Sequence, residues 1–487
     1  MTALEPAVLD ELVRALTAGL RGTVTAPGSP EYDSARHVWN AMFDARRPAA
    51  VVRCADENDV AAAVRLLRDA DVPVAVRGGG HHIAGFGTCD GGIVIDLGAM
   101  RSASPVDGGR MLVQGGATLH EVDTAGERVG RAVPLGVVSE TGVAGLTLSG
   151  GVGWLTRRHG YTCDNLLGAR VVTAEGEIVR ASETENADLL WGLRGGGGNF
   201  GIVTEFEFQS HPLAHVVVAE SYHVVADDRR VEDVLRFYRD WTAGLSNEVT
   251  VWLAIEQVNP AYDLLAPDHL GRLVVAILGC YAGASLDAGE LTLMPLTREL
   301  DPTASRLSRM RMVDLQHSQD DSAAAAHGMR SYMKGEMLTQ LTDSAIAGIA
   351  KYSQEMPTAN SLFEMGMVGG AMGEWDEMDA AVGLREARYL AGFSMMSADD
   401  TDLDAKINWT RDAWSTLTDA SAGGVYLNFS GEDGEGRILR SLGANSGAKR
   451  ERLFQTKRQF DPNNFFRINH NIDPARTASD LESANDG

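Results

Sequence analysis

Two histidines directly follow three glycines in the segment Arg77-Gly78-Gly79-Gly80-His81-His82. Successive glycines let the backbone approach a bulky anion and adopt positive φ, so their N–H groups can surround a phosphate, and Arg77 would add a cation. A phosphate loop has no need of an imidazole. A nucleophilic histidine beside a bound cofactor therefore predicts a covalent tether. The alternative is a plain glycine turn with two solvated imidazoles.

The elements around this loop predict an α+β chain. Residues 5–20 have helical spacing, and residues 50–53 read as a short strand. The apolar residues of 56–67 recur every three to four positions, which predicts an amphipathic helix. The loop itself lies between two further strands, at residues 73–77 and 91–97.

Two more glycine-rich stretches follow. The spacing of glycines in residues 136–155 suits a backbone laid against a flat ring system. Residues 189–204 contain a formal G-x-G-x-x-G from Gly196, but residues 202–208 alternate as a strand. Because a dinucleotide-binding fold needs a helix after that motif, the Rossmann interpretation fails.

The last recognisable motif lies near the C-terminus. Residues 424–429 are predicted as a strand and residues 449–460 as a helix. This helix ends at the sequence Asp461-Pro462-Asn463-Asn464-Phe465. Between residues 212 and 420 glycine clusters are rare, and helical patterns such as 231–241 alternate with strand patterns such as 249–258. This middle part carries the least specific sequence.

On residues 77–85, 136–155, 189–204 and 424–469, the chain resembles the berberine bridge enzyme-like branch of the vanillyl-alcohol oxidase and p-cresol methylhydroxylase superfamily. The resemblance implies an α+β, two-domain FAD-binding fold whose α+β substrate domain is built on an antiparallel sheet. It places the FAD-binding domain at 1–211, the substrate-binding domain at 212–422 and a return to the FAD-binding domain at 423–487.

The resemblance also implies the cofactor, FAD, and an 8α-histidyl bond from His81 to the flavin. Thr141 aligns with a position near flavin N5 and C4a, where family members control access of O2. The implied FAD-binding residues are Arg77, Gly78, Gly79, Gly80, His81, His82, Gly85, Ser139, Thr141, Gly142, Gly145, Leu146, Asn199, Gly201, Ile202, Tyr426, Asn428 and Asn469.

One position departs from a pattern seen in some relatives. Those relatives bind the flavin a second time, through a cysteine about 60 residues after the histidine, and Val138 occupies that place here. We therefore expect a single covalent bond. Cys163, 82 residues after His81, is interpreted as a neighbour of the site or a buried thiol.

Two residues are candidates for catalysis. Tyr426 occupies the place of a catalytic tyrosine in relatives. If a positive neighbour lowers the pKa of its hydroxyl, the resulting phenolate would accept a substrate proton. The alternative is a buried tyrosine that ties Asn428 and the flavin in place. Glu364 lies on a predicted strand that faces the flavin in relatives. It would orient a cationic amine or act as a base, or it is an exposed, salt-bridged glutamate.

These features together predict an FAD-linked oxidase that removes hydride from an alcohol or amine carbon of a small organic molecule and reduces O2 to H2O2. A flavin dehydrogenase or an oxygenating flavoenzyme with another acceptor is the nearest alternative. A catalytically silent FAD-binding protein is the alternative from a different class.

Composition limits the classes of partner and cofactor that we expect for this protein. The 487 residues carry a net charge of −24, which opposes binding to nucleic acid. No apolar run reaches the ~18 residues that a membrane span needs, and the first residues do not read as a signal peptide, so we expect a cytoplasmic protein. The four cysteines are too scattered for a disulfide framework. No His-x-x-His or Glu-x-x-His set appears in a predicted helix, which disfavours a nickel or zinc enzyme.

Overall fold

The computed structural model describes residues 6–431, 433–443 and 447–476. Within these ranges no helix is both long enough and apolar enough to cross a membrane. Helices and mainly antiparallel sheets are both present, which confirms the predicted α+β class.

The helices and strands are labelled in chain order. Up to residue 212 they are α1 (Pro6–Gly19), β1 (Thr23–Thr25), α2 (Tyr32–Arg36), β2 (Ala50–Arg53), α3 (Glu57–Leu67), β3 (Val74–Arg77), β4 (Ile93–Asp96), β5 (Ala103–Val106), β6 (Arg110–Gln114), α4 (Leu119–Glu127), β7 (Arg131–Ala132), α5 (Val143–Leu148), α6 (Thr156–His159), β8 (Leu166–Val172), β9 (Ile178–Ser182), α7 (Ala187–Leu193), β10 (Ile202–Gln209) and β11 (His211–Pro212). They continue as β12 (His215–Val224), α8 (Asp228–Thr242), β13 (Val249–Gln257), β14 (Leu273–Tyr281), α9 (Leu286–Leu293), β15 (Ala304–Arg311), α10 (Met312–His317), α11 (Asp320–Ala326), β16 (Arg330–Leu338), α12 (Asp343–Gln354), β17 (Leu362–Met367), β18 (Tyr389–Ser397), α13 (Leu403–Ser415), α14 (Glu435–Ser441) and α15 (Gly447–Phe460).

The first sheet holds the glycine–histidine loop. Its strand order is β1-β2-β4-β3, and β4 pairs in parallel with both β2 and β3. Strand β4 is buried along its whole length, as expected for a central parallel strand. Helix α3 covers the sheet and begins where the Asp56 side chain accepts hydrogen bonds from two backbone N–H groups. The loop starts at the carboxyl end of β3.

The second sheet is antiparallel, with strand order β5-β6-β10-β8-β9. Helices α4, α5 and α7 pack on it and form one core with Phe206 and Phe208 of β10. Helix α15 joins the same core through Leu453 and Phe454, although the whole third sheet separates it from β10 in the chain. The C-terminal segment thus packs beside the glycine-rich stretches.

The third sheet has seven antiparallel strands in the order β15-β12-β14-β13-β17-β18-β16. One face packs on helices α8, α12 and α13 through residues such as Leu253, Phe363 and Phe393. Because side chains alternate along a strand, the neighbours of these residues point to the other face. That face carries Ala254 and Glu364, and it lies over the glycine-rich stretches.

A buried ion pair explains the sequence motif at the C-terminal end of α15. The Asp461 carboxylate accepts hydrogen bonds from the Phe465 and Phe466 backbone N–H groups and from the Lys457 ammonium at 2.6 Å. Lys457 also donates to the Asn199 and Phe466 carbonyl oxygens, and neither charged side chain is exposed. This network fixes the segment that follows the helix.

Most predicted elements are present within a few residues of their expected bounds, but the strand predicted at 424–429 is wrong. Tyr426 is extended, and Leu427–Phe429 forms a 3-10 turn instead. The Leu427 carbonyl accepts hydrogen bonds from two histidine side chains, His82 and His470, rather than from a neighbouring strand. The alanine run at residues 323–326 is part of helix α11.

Replacing Asp461 with Asn should destabilise the protein by ~3–5 kcal/mol, because Lys457 would remain buried without a counter-charge. Chemical denaturation followed by circular dichroism measures this loss. Asp400→Asn, at an exposed position, is the matched control and should change stability by less than ~0.5 kcal/mol. An Asp461→Asn variant as stable as this control would contradict the role given to the pair.

Candidate cofactor and substrate site

A cavity of about 990 Å³ lies between the glycine-rich stretches and the third sheet. Its lower walls come from residues 76–83, 136–149, 197–203 and 466–470, and its roof comes from β13, β16, β17 and β18. The volume is at the upper end of the range typical of cofactor and ligand pockets.

Two glycines bring the lower walls together. A Cβ atom added to Gly79 would lie 2.5 Å from the Gly142 backbone nitrogen, and one added to Gly142 would overlap Gly79 in the same way. Real Cβ atoms do not approach backbone so closely. The loop after β3 and the segment before α5 can therefore touch only because both residues lack side chains.

The loop after β3 has free backbone donors. Within the described ranges, no residue accepts a hydrogen bond from the N–H groups of Gly79, Gly80, His81 or His82. Gly80 has a φ of +74°, which suits the turn that such a loop needs. The row of unpaired N–H groups is a suitable cradle for an anionic group such as a pyrophosphate.

Arg77 does not supply the free cation that the sequence suggested. It lines the cavity, but its guanidinium donates to Asp96 at 2.8 Å and to the Ala35 and His37 carbonyl oxygens. The Asp96 carboxylate is almost fully buried and also pairs with Arg53. Arg77 therefore anchors the start of the loop, and its charge is already compensated.

The two adjacent histidines have different environments. The Nδ1 atom of His82 accepts the Ala84 N–H and its Nε2 atom donates to the Leu427 carbonyl, so both ring nitrogens are occupied. The His81 ring makes no hydrogen bond to a described residue and lies against Trp39. Burial lowers the pKa of His81 to about 4, which keeps the imidazole neutral and therefore nucleophilic.

A carboxylate faces His81. The Glu140 Oε1 atom lies 3.9 Å from His81 Nε2, and it is a buried atom without a hydrogen-bond partner in the described part of the chain. Burial raises the pKa of Glu140. Sequence reasoning did not find this residue, because a single glutamate between glycine-rich motifs carries no signal of its own.

Tyr426 and Asn428 join the C-terminal segment to the glycine-rich stretch. The Tyr426 hydroxyl accepts hydrogen bonds from the Val152 N–H at 3.0 Å and from the Asn428 amide at 2.9 Å, and that amide also donates to the Leu146 carbonyl. Burial raises the pKa of Tyr426 to about 12, and no basic side chain is among the groups that act on it. The positive neighbour expected from the sequence is therefore not found beside this tyrosine.

Glu364 lies in the roof of the cavity, opposite the glycine-rich walls. It forms no ion pair with a described residue, unlike the salt-bridged glutamate considered above. Burial and the nearby Glu256 raise the pKa of Glu364 to about 7. Glu256 is a second residue that sequence reasoning missed, although the alternation of Trp252, Ala254 and Glu256 along β13 places all three on one face.

Three residues of the predicted cofactor set do not line the cavity. Gly85 packs against the Phe43 ring, Ser139 is buried near Gln316 and Asp320, and Asn199 bonds the carbonyls of Gly196 and His470. The cavity brings together Glu364 and the other predicted residues, which are Arg77, Gly78, Gly79, Gly80, His81, His82, Thr141, Gly142, Gly145, Leu146, Gly201, Ile202, Tyr426, Asn428 and Asn469.

Val138 and Cys163 differ in their position relative to the cavity. Val138 lines the cavity, whereas Cys163 is fully buried outside it and bonds Gly150 through its backbone. Burial raises the pKa of the Cys163 thiol well above its usual value, which disfavours the nucleophilic thiolate.

The residues present fit FAD. The Gly79–Gly142 contact and the unpaired N–H groups suit a pyrophosphate, and His81 offers a neutral imidazole in the same wall. Asn469 adds a buried Oδ1 atom that has no partner among the described residues, while its amide nitrogen donates to the Gly198 carbonyl.

Comparison with known proteins identifies the class. Residues 48–182 match the family model of an FAD binding domain, and residues 447–473 match that of berberine and berberine-like proteins. An FAD-linked oxidoreductase of Dictyostelium discoideum is 29% identical over 95% of this chain and 97% of its own length. The (R)-6-hydroxynicotine oxidase of Paenarthrobacter nicotinovorans is 32% identical over 53% of this chain and 57% of its own.

A solved structure agrees in fold. The glucooligosaccharide oxidase of Acremonium strictum, described with a 6-S-cysteinyl, 8α-N1-histidyl FAD, superposes with a TM-score of 0.80 at 24% identity, over 95% of this chain and 99% of its own. This chain thus carries an FAD binding domain and a berberine-like segment, and its relatives are FAD-linked oxidoreductases, which confirms the family resemblance that the sequence motifs predicted.

Gly142→Ala should abolish FAD binding, because the added methyl group forces the two lower walls of the cavity apart. The ratio of flavin absorbance to protein absorbance in the purified protein measures the loss. Gly244→Ala adds a methyl group where no atom lies within 4 Å and should keep the full flavin content. A yellow Gly142→Ala protein would show that the contact is dispensable.

Proposed function

We propose that this protein is an FAD-dependent oxidase that carries its flavin on one bond to His81. It removes hydride from a carbon that bears a hydroxyl group or an amine nitrogen of a small organic molecule, and it passes the electrons to O2 with formation of H2O2. The arrangement of the cavity supports this proposal most directly. The His81 imidazole, which makes no hydrogen bond to a described residue, lies in the glycine-rich wall, and the Glu364 carboxyl group lies in the roof opposite.

A single attachment through His81 is supported by the surroundings of the two candidate nucleophiles. His81 lines the cavity with a neutral ring, and Glu140 lies near its Nε2 atom, where it would hold the proton on that nitrogen. Cys163 is buried away from the cavity, and Val138 stands where the doubly linked relatives have their cysteine. The glucooligosaccharide oxidase described above has both links, and this chain retains only the histidine.

The bound flavin supplies the hydride acceptor, and the protein must accept the proton of the substrate. Glu364 is the favoured base, since a carboxyl group with a pKa of about 7 is partly ionised near neutral pH. Tyr426, the first choice from the sequence, is protonated at that pH. Its oxygen accepts two N–H groups, so its own proton is available to orient the substrate or cofactor.

O2 is proposed as the electron acceptor on two grounds, the resemblance to the family and the position of Thr141. Thr141 lines the cavity, and by the family resemblance it aligns with a position where relatives control access of O2. A dehydrogenase with another acceptor, or an oxygenating flavoenzyme, would use the same walls and roof. Detection of H2O2 in step with substrate consumption distinguishes the oxidase from both.

Flavin should remain on the acid-precipitated, denatured wild-type chain, and it should be lost from His81→Ala. Cys163→Ala is the matched control and should retain the flavin with an unchanged spectrum, because the thiol does not reach the cavity. Flavin fluorescence on a denaturing gel and absorbance of the precipitate provide the readout. Flavin that follows Cys163 instead of His81 would refute the proposed attachment, and a colourless wild-type protein would favour a catalytically silent protein of this fold that carries no flavin.

Glu364→Gln should lower kcat by about 10²–10⁴-fold, the usual contribution of a general base. In the wild-type protein kcat/KM should rise as pH increases through about 7, because the carboxylate is the active form. Glu299→Gln, which neutralises an exposed glutamate, should leave both quantities unchanged. Stopped-flow reduction of the flavin across about pH 5–9 measures this step. A variant that keeps the wild-type profile would exclude Glu364 as the base.

A further inference from the structure

Carboxylates dominate the charge of the cavity. Among the described lining residues, Glu140, Glu256, Asp321 and Glu364 carry acidic groups, and Arg77 is the one arginine or lysine. The Arg77 charge is already matched by Asp96 at 2.8 Å. The interior of the cavity is therefore electronegative, which repels an anionic ligand and attracts a cation.

Two of these carboxylates form a pair in the roof. Ala254 of β13 is the direct cross-strand partner of Glu364 of β17, so Glu256, two residues along β13, is the diagonal neighbour of Glu364 on the same face. Diagonal neighbours of this kind are separated by about 7–8 Å between backbones, which leaves room for one positively charged group between the side chains. Each raises the cost of ionising the other unless a cation is present.

Glu256 has a fixed orientation. The Tyr262 hydroxyl donates to its Oε1 atom at 2.5 Å, and Tyr262 belongs to the loop between β13 and β14. Residues 259–261 of that loop line the cavity. Within the described ranges, neither Glu256 nor Glu364 meets a lysine, arginine or histidine of the protein, so both lack a counter-charge.

Apolar side chains surround the pair. Trp252 lies on the same face of β13, and Leu362 and Leu390 lie on the same face of β17 and β18. Buried carboxylates beside aromatic and aliphatic surface match a ligand that has a cationic nitrogen and an apolar body. An oligosaccharide would bring many hydroxyl groups and no positive charge to this surface.

We propose that Glu256 and Glu364 form a subsite for a protonated amine with an apolar body, and that such amines are the substrates of the oxidase. This inference rests on the proposed function and names its substrate class. Glu256 binds the nitrogen as a positioning residue, while Glu364 accepts a proton from it.

The resulting reaction balances. The protonated secondary amine gives one N–H proton to Glu364, and the carbon beside the nitrogen gives a hydride to the bound cofactor. The electron pair left on the nitrogen forms the second bond of a carbon–nitrogen double bond, so the product is an iminium cation. O2 takes up the hydride and the proton and becomes H2O2. Water then hydrolyses the released iminium to a carbonyl compound and an amine.

Calorimetric titration of the holoprotein with three ligands that share one ring tests the subsite without turnover. Benzyltrimethylammonium should bind at least about tenfold more tightly than benzyl alcohol, and benzoate should bind most weakly, as expected from the charge of the cavity. Equal affinity for the three ligands, or preference for benzoate, would overturn the proposal even if H2O2 is produced from a neutral substrate.

Variants test whether the Glu256–Glu364 pair binds the ammonium group. Glu256→Gln should weaken benzyltrimethylammonium about tenfold or more and leave benzyl alcohol unchanged, and it should raise KM for N-methylbenzylamine far more than it lowers kcat. Glu299→Gln is the control of equal charge change. Unchanged ammonium binding in Glu256→Gln would refute the subsite. If Glu256→Gln does not fold, Tyr262→Phe should weaken ammonium binding in the same direction, and no effect there would refute the role of Glu256.

The outcomes for the two proposals remain distinguishable. Tight ammonium binding without H2O2 formation from any amine would leave the subsite intact and overturn the oxidase. Formation of H2O2 from neutral alcohols or sugars alone would leave the oxidase intact and overturn the subsite.

Discussion

The contact between the Gly79 and Gly142 backbones is the constraint on which the rest of the site depends. It joins the loop after β3 to the segment before α5, and a methyl group on either residue would separate them. Because the two segments meet there, the unpaired N–H groups, His81 and Thr141 all face one cavity. The buried Arg77–Asp96 pair holds the loop at its start, so the geometry does not rely on the cofactor alone.

The C-terminal segment completes this wall through hydrogen bonds to both glycine-rich segments. The Leu427 oxygen accepts a hydrogen bond from His82 of the loop after β3, while Tyr426 and Asn428 bond Val152 and Leu146 of the glycine-rich stretch. The Lys457–Asp461 network fixes the other end of the segment. The two adjacent histidines therefore differ, because both ring nitrogens of His82 are hydrogen-bonded, whereas the His81 ring makes no hydrogen bond to a described residue.

The glycine–histidine loop, the strands around it and the motif at Asp461 could be predicted because each carries a local signal: a run of glycines, an alternation or a helix end. The hydrogen bonds of Arg77 could not be predicted, because Asp96 and the carbonyls of residues 35 and 37 come close to Arg77 only in the folded chain. The same holds for Glu256, whose significance depends on the register of β13 with β17. The strand predicted around Tyr426 failed because the Phe429 N–H bonds the Tyr426 carbonyl in a 3-10 turn, and two histidine side chains bond the Leu427 carbonyl.

In the proposed holoprotein, one cavity holds FAD against the glycine-rich wall, with His81 attached to the flavin and the Glu256–Glu364 roof on the opposite side. A crystal structure of the purified yellow protein tests this arrangement directly. We expect continuous electron density from the His81 ring to the flavin methyl carbon, with Val138 and Cys163 unmodified and Glu364 facing the flavin ring. Density that joins the flavin to Cys163, or a flavin placed away from the Gly79–Gly142 contact, would contradict it.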